Sequence, residues 1–328
     1  MNEQNRLWAV ILAAGEGTRL APLTECLYGE RLPKQFAVLA GDRSLLQATV
    51  DRLLPLVPPS RMVVVVPLAY EGLARTQLAD YSGTRVVAQP ANRGTGPGIL
   101  LPLAHVIEAD PDARVVVTPS DHYIADADSF NDAIAVAAAS ANSVPLTLVG
   151  AEPDCPETEY GWIEPGEVLE GSVRRIDRFV EKPPAVRARE LFERGGLWNT
   201  FVMMAEARRL WSLAEERMPA QAALIHACVA QAGPAAPCLA RAYEQMEDAN
   251  FSRAVLESGG ELGVVCAHGC GFSDWGSPER VLDSLRGTAD LDRLLSRLVP
   301  RSTDALTDGS RSLRSEGNEN SALRQEGS

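Results

Sequence analysis

Residues 8–20, WAVILAAGEGTRL, constrain the fold more than any other stretch. Trp8, Val10, Ile11 and Leu12 form a continuous apolar run with β-branched members, the pattern of a strand covered on both faces. The run enters Ala13, Ala14, Gly15 and Gly17, where side-chain bulk disappears, and then Thr18 and Arg19. A backbone stripped in this way can approach a phosphate closely and present its N–H groups to the oxygens. Taken alone, the spacing also suits a tight strand-to-loop turn beside an exposed arginine. A dinucleotide turn is excluded, because Leu20 stands where its third glycine belongs. A P-loop is excluded because its lysine is missing. If this turn holds phosphates, a lysine must come from elsewhere, and Pro33-Lys34-Gln35-Phe36 supplies one at Lys34.

The segments that follow alternate between two periods. Residues 44–57 read as a helix, with Leu45, Leu46, Val50, Leu53 and Leu54 on a 3.6-residue repeat, Ser44 as N-cap and Pro58-Pro59 as stop. Residues 62–66, 85–89 and 114–118 are short β-branched runs, separated by helical patterns at 99–108 and 130–139. This alternation predicts right-handed crossovers and a mostly parallel sheet with helices on both faces, whose ligands bind at the carboxyl ends of the strands. At those ends stand QPANRGTGPG from Gln89, with three glycines before a helix, and Pro119-Ser120-Asp121-His122. A carboxylate there can reach a phosphate-bound metal, or merely cap the next turn.

Residues 21–31 read as polar and irregular. In the second half, strands are expected at 145–150, 173–180 and 197–204, and a turn entering a short strand at 158–163. Helices are expected at 186–194 and 205–217, with weaker helical patterns at 221–231 and 251–256. The glycine-bounded loop 271–277 carries Asp274 and precedes a helix from Pro278. Residues 299–328, rich in Ser, Gly, Asn and charge, read as a disordered tail. The catalytic domain is expected over 5–298, with a nucleotide half at about 5–150 and a sugar-phosphate half at about 151–298.

Composition narrows the partners. The chain of 328 residues has a net charge of -13, which argues against nucleic acid or an anionic membrane as partner while leaving a nucleotide substrate open. No run approaches the ~18 apolar residues of a membrane span. The polar start MNEQNR leads straight into strand pattern, so no signal peptide is expected and the cytoplasm is the expected location. The six cysteines, Cys26, Cys155, Cys228, Cys238, Cys266 and Cys270, show no disulfide framework, which fits a reducing compartment. Cys266, His268 and Cys270 lie close enough to suggest zinc, but no second ligand pair stands near them in sequence, and thiols are the default reading.

The order of LAAGEGTRL, PKQF, PSDH, EYGWI, FVEKP, LWN and GFSDWGS resembles the sugar-phosphate nucleotidyltransferases, and within them the mannose-1-phosphate guanylyltransferases. The resemblance spans nearly everything except the tail. It implies a Rossmann-like α/β nucleotidyltransferase fold (GT-A-like) and transfer of GMP from GTP to mannose 1-phosphate, giving GDP-mannose and pyrophosphate. Carried over residue by residue, Leu12, Ala13, Gly15, Gly17 and Thr18 would wrap the nucleotide phosphates, with Arg19 and Lys34 neutralising them. Gly94 and Thr95 would face the guanosine. Asp121 and Asp274 would hold Mg2+. Gly161, Glu181 and Asn199 would form the sugar pocket, and Lys182 would meet the sugar phosphate. The sequence departs from the family pattern at Gln89, Gly94, Thr200-Phe201 and Ser252. A homodimer is left open. Two alternatives stand beside this reading: another hexose 1-phosphate or nucleotide as substrate, and a non-catalytic nucleotide-sugar-binding regulatory subunit.

Overall fold

A computed structural model describes residues 6–232 and 237–298. The expected tail, 299–328, lies outside them. The strands are β1 (Leu7–Leu12), β2 (Met62–Pro67), β3 (Arg85–Gln89), β4 (Arg114–Pro119), β5 (Tyr123–Ile124), β6 (Leu146–Ala151), β7 (Gly161–Glu170), β8 (Val173–Glu181), β9 (Leu197–Glu206), β10 (Leu262–Ala267) and β11 (Phe272–Ser273). Nine of them form one sheet in the order β3-β2-β1-β4-β9-β6-β10-β8-β7. The first four are mutually parallel. Beyond β4 the sheet is mixed, because β9 runs antiparallel to both β4 and β6, while β10 pairs parallel with β6.

Successive residues of each inner strand enter opposite cores, as the pleat requires. Val63, Val115 and Val117 pack with the helices Thr95–Ala109 and Ala207–Arg217. Val64 and Val116 pack with Leu45–Leu53 and Ala127–Ala139 on the other face. This two-sided burial is why the strands read as unbroken apolar runs. Ser44 starts its helix with a complete capping box to Gln47. A third, smaller core joins Leu20, Leu23, Leu39 and Leu45 to Trp275, Val281, Leu285 and Leu294, fastening the N-terminal loops to the C-terminal helices.

Several expectations need correction. Residues 21–31 are not irregular: Ala21–Tyr28 is a helix with proline in its first turn, and Gly29 closes it at φ 76°. β9 continues to Glu206, so the following helix begins at Ala207 rather than 205. β7 runs ten residues, longer than the short strand expected. Residues 251–256 contribute a π-helix, Ser252–Leu256. The central strand β10 and the helices Pro237–Gln245 and Ala289–Leu298 were not legible as elements. Cys228 and Cys238 are joined as a disulfide, where the scattered cysteines had shown no disulfide framework. Among the described residues, no helix is long and apolar enough to cross a membrane.

Candidate active site

The turn after β1 is shaped by its glycines and by Gln35. Gly17 sits at φ 57°, and a Cβ there would stand 2.9 Å from the Lys34 backbone nitrogen. The close approach of the two loops therefore requires glycine. The Gln35 amide donates to the carbonyls of Ala13 and Gly15, both at 2.8 Å, and fixes the turn from beneath. Leu12 accepts two bonds from Ser120, one from its amide and one from its hydroxyl, which ties the end of β1 to the end of β4. Gly15, Thr18 and Arg19 remain exposed.

Asp121 and Asp274 meet because β5 and β11 pair. Ser273 faces Tyr123, so the residues just outside this two-stranded ladder, Asp121-His122 and Asp274, are carried to the same place. Tyr123 stacks on the buried Trp275 with ring centroids 4.5 Å apart, which locks the ladder. Lys34, whose side chain is only 7% exposed, reaches both acids: its ammonium stands 3.1 Å from Asp121 Oδ2 and donates to the main-chain carbonyl of Asp274. Arg19 spans Glu159 at 3.1 Å and Asp274 Oδ2 at 3.5 Å.

The cations set the charge state of the acids. Burial pushes the Asp121 carboxyl upward, but the Lys34 ammonium leads the opposing pull, by charge and by hydrogen bond, and the net shift is below the usual carboxylate range. Asp274 behaves likewise, with burial opposed by Arg280 and Lys34 and the net shift downward. His122 moves down, because its burial outweighs the pull of Asp121, and so it tends to stay neutral. Two ionised carboxylates supplying hard oxygen ligands are a donor set that fits a magnesium-class ion.

Asp274 has a support that its motif did not reveal. Its Oδ1 accepts from the Tyr160 hydroxyl at 2.9 Å, the Gly276 amide at 2.8 Å and Arg280 at 2.7 Å. Arg280 also pairs with Glu157 at 2.5 Å and lies 4.8 Å from the Tyr160 ring centroid. Glu157, Tyr160 and Arg280 are thus positioning residues that sequence reasoning missed. Tyr160 was in view within EYGWI, but its partner lies 114 residues away.

The sugar-side residues also converge. Gly161 opposes Glu181 across β7 and β8, while Asn199 enters from β9 opposite Gly150. A Cβ on Gly161 would lie 3.0 Å from Glu181 Oε2 and 3.3 Å from the Asn199 Cβ. Asn199 is nine-tenths buried, and its Oδ1 accepts from the Phe201 amide at 3.0 Å. Phe201 lies in the β6–β9 irregularity at φ 57°, where glycine is preferred, and its ring packs edge-on against Phe251. Lys182 follows at φ 47° and donates its amide to the Tyr160 carbonyl. Burial raises the Glu181 carboxyl despite the opposing Lys182.

Gly94 and Thr95 start the helix Thr95–Ala109 at the carboxyl end of β3. The Thr95 hydroxyl accepts from the Phe251 amide at 2.8 Å, and Gly96 donates its amide to Ala249. These residues therefore pack against the 249–251 segment. A cleft of about 370 Å³ beside Gly15 is bordered by Gln89, Pro90, Ala91 and Asn92 instead.

This arrangement has counterparts among known proteins. The family model described as "Nucleotidyl transferase" matches residues 8–286. The xanthan biosynthesis protein XanB of Xanthomonas campestris is 35% identical over 67% of this chain and 45% of its own length. The mannose-1-phosphate guanylyltransferase of Escherichia coli K12 is 32% identical over 84% of this chain and 59% of its own. The chain thus spans about half the length of the curated relatives it matches. A solved structure from Thermus thermophilus, described as a mannose-1-phosphate geranyltransferase, superposes with a TM-score of 0.73 at 30% identity, over 83% of this chain and 76% of that one. The match reaches from β1 past Asp274 and Arg280, so the loops and ladder that gather the acids and cations lie within it: the chain belongs to the nucleotidyl transferase family.

Proposed function

We propose that this protein transfers GMP from GTP to α-D-mannose 1-phosphate, giving GDP-mannose and pyrophosphate. The observation that carries the reading is the convergence of Arg19 and Lys34 on Asp121 and Asp274, with Tyr160 joining Asp274 to a strand mouth lined by Gly161, Glu181 and Asn199. The order of sequence motifs and the relatives that bear the guanylyltransferase name support the choice of base and sugar. In the reaction, a phosphate oxygen of the sugar phosphate forms a bond to the α-phosphorus of the nucleotide. The bond from that phosphorus to the bridging oxygen breaks, and its electron pair leaves with pyrophosphate. The attacking oxygen is already ionised at neutral pH, so no general base is required, in keeping with a neutral His122.

The barrier is mostly repulsion between two polyanions plus charge developing on the leaving group. Arg19 and Lys34 oppose both, and the glycine turn lets backbone amides approach the phosphates. Glu181 and Asn199 orient the sugar hydroxyls, and Lys182 its phosphate. A divalent cation held by Asp121 and Asp274, Mg2+ by its preference for hard oxygens, would add charge neutralisation at the triphosphate.

The test is pyrophosphate release across a panel of GTP, UTP and dTTP against mannose 1-phosphate and glucose 1-phosphate. The expected result is Mg2+-dependent turnover fastest with GTP and mannose 1-phosphate. Turnover only with UTP or dTTP would reject the guanylyl assignment. Tight GDP-mannose binding without pyrophosphate release from any pair would favour the regulatory subunit instead.

A further inference from the structure

The register of β6 against β10 creates a second cluster of ligating groups, outside the machinery described above. In a parallel pair, residues opposite one another share a face. Cys266 faces Gly150 and Ala267 faces Ala151 at the end of the ladder, and the next residue of each strand, His268 and Glu152, meet just beyond it at 2.8 Å. Three side chains of three ligand types therefore gather at the carboxyl ends of two adjacent central strands. Their ligand atoms all lie within 4.8 Å of one another. Sequence spacing had offered Cys270 as the partner of Cys266 and His268; the fold supplies Glu152, 116 residues from His268, and leaves Cys270 outside the set.

We infer that Glu152, Cys266 and His268 form a three-ligand, open-sided site for a thiophilic divalent cation of the zinc class. A tetrahedral ion with Zn–S of about 2.3 Å and Zn–N of about 2.1 Å sets sulfur and nitrogen about 3.6 Å apart. Cys266 Sγ and His268 Nδ1 are 3.6 Å apart. Glu152 Oε1 is 2.8 Å from His268 Nδ1, the length of a hydrogen bond, and its exposed carboxylate would swing outward by roughly 0.6 Å as the ion replaces that bond. Glu152 Oε2 meanwhile accepts from the Gly269 amide at 3.1 Å, a bond from outside the ligand set that aims the other oxygen inward. A cleft of about 510 Å³ borders all three residues, so the fourth position opens to water or a small ligand. Binding releases the Cys266 thiol proton to solvent, since the thiolate is the ligand, and the proton that His268 Nδ1 shares with Glu152 leaves that nitrogen, the neutral ring keeping its one proton on Nε2. The thiolate and imidazole separate this site from the oxygen-only pair Asp121 and Asp274, which suits a harder ion.

Cobalt reports on the site directly. Titration of the full chain with Co2+ should produce a thiolate-to-cobalt charge-transfer band that saturates at one equivalent, is abolished by Zn2+ and survives excess Mg2+. Cys266→Ser should remove the band and weaken Zn2+ binding by calorimetry at least tenfold, with pyrophosphate release in Mg2+ unchanged. His268→Ala and Glu152→Gln should each weaken Zn2+ binding, whereas Cys270→Ala should retain the band. An absent band in the parent chain, or a band and Zn2+ affinity that persist in Cys266→Ser, overturns the inference. Full Zn2+ affinity in both His268→Ala and Glu152→Gln overturns it as well.

Discussion

Lys34 and Asp274 reach each other across 240 residues of chain, through loops, whereas Gly161 and Glu181 are opposite positions of a single hairpin. The phosphate end of the site is thus an assembly of distant segments held by charge. Its acids and cations stay together because the small core of Leu20, Leu39, Trp275 and Leu285 fastens the loops that carry them. The sugar end is a surface of the sheet itself, where strand register fixes each side chain and the free space is set by the missing Cβ of Gly161. Lesions at the first end should change the rate of reaction. Lesions at the second should change how well the sugar fits.

The strongest way to break this contrast is to remove an acid from the phosphate end. Asp121→Ala or Asp274→Ala should lower Mg2+-supported turnover by at least about 10³, because each leaves clustered cations with one ligand fewer. Circular dichroism should still report a folded chain. Near-normal activity in both variants would remove these residues from the reaction. At the sugar end, Gly161→Ala places a methyl group 3.0 Å from Glu181 Oε2 and from the Phe179 ring, tighter than neighbours tolerate without moving. The expected outcome is a KM for the sugar phosphate raised about tenfold or more, roughly 1.4 kcal/mol, with the KM for the nucleotide unchanged. An equal rise in both constants would mean that the two ends are not separable.

Tyr160 belongs to both regions. Its hydroxyl meets Asp274, while its carbonyl accepts from the amide of Lys182. Tyr160→Phe deletes only the hydroxyl, which donates to the Asp274 carboxylate and accepts from the Asp274 amide; the bond that orients the carboxylate contributes about 0.5–1.5 kcal/mol net. Turnover should fall about three- to tenfold with little change in either KM, since Arg280 and the Gly276 amide still hold Asp274. A rise in the sugar-phosphate KM instead would show that the backbone contact to Lys182 depends on that hydroxyl.

The same contrast explains what could be read from sequence. Strands β1, β2 and β4 declared themselves because burial on both faces leaves an unbroken apolar run at the centre of each, Trp8–Ile11, Val63–Val66 and Val115–Val117. Strand β10 is of the same length and equally buried, but its LGVVCA begins just after two glycines and includes one of its own, and so lacks a clear period. The helix Ala21–Tyr28 buries only Leu23 and Thr24, too few for an apolar stripe; Pro22 and Gly29 were its readable boundaries. In the site, motifs exposed the residues that face a ligand. They did not expose Glu157, Tyr160 and Arg280 in their supporting roles, because those roles depend on contacts between distant segments. Glu152 was hidden for the same reason: only the pairing of β6 with β10 brings it to His268.

The smallest effect sharpens the contrast through pH. Burial holds the Glu181 carboxyl above its ordinary value, with Lys182 opposing and Glu257 adding to the rise. A group whose folded-state value is raised leaves stability intact below its unfolded value and costs stability as pH climbs through the folded value. Glu181→Gln removes that cost, so the variant should match the parent at low pH and melt slightly higher at neutral pH. The gain is limited to about 1–2 °C, because the side chain is partly exposed and solvent screens its charge. Over the same range the sugar-phosphate KM should rise, since a carboxylate that accepts sugar hydroxyls has become an amide. Stability and sugar affinity moving in opposite directions would identify Glu181 as a buried charge retained for binding. A variant less stable at neutral pH would mean that the carboxylate is held by partners strong enough to outweigh its burial, and would make it part of the scaffold rather than of the pocket.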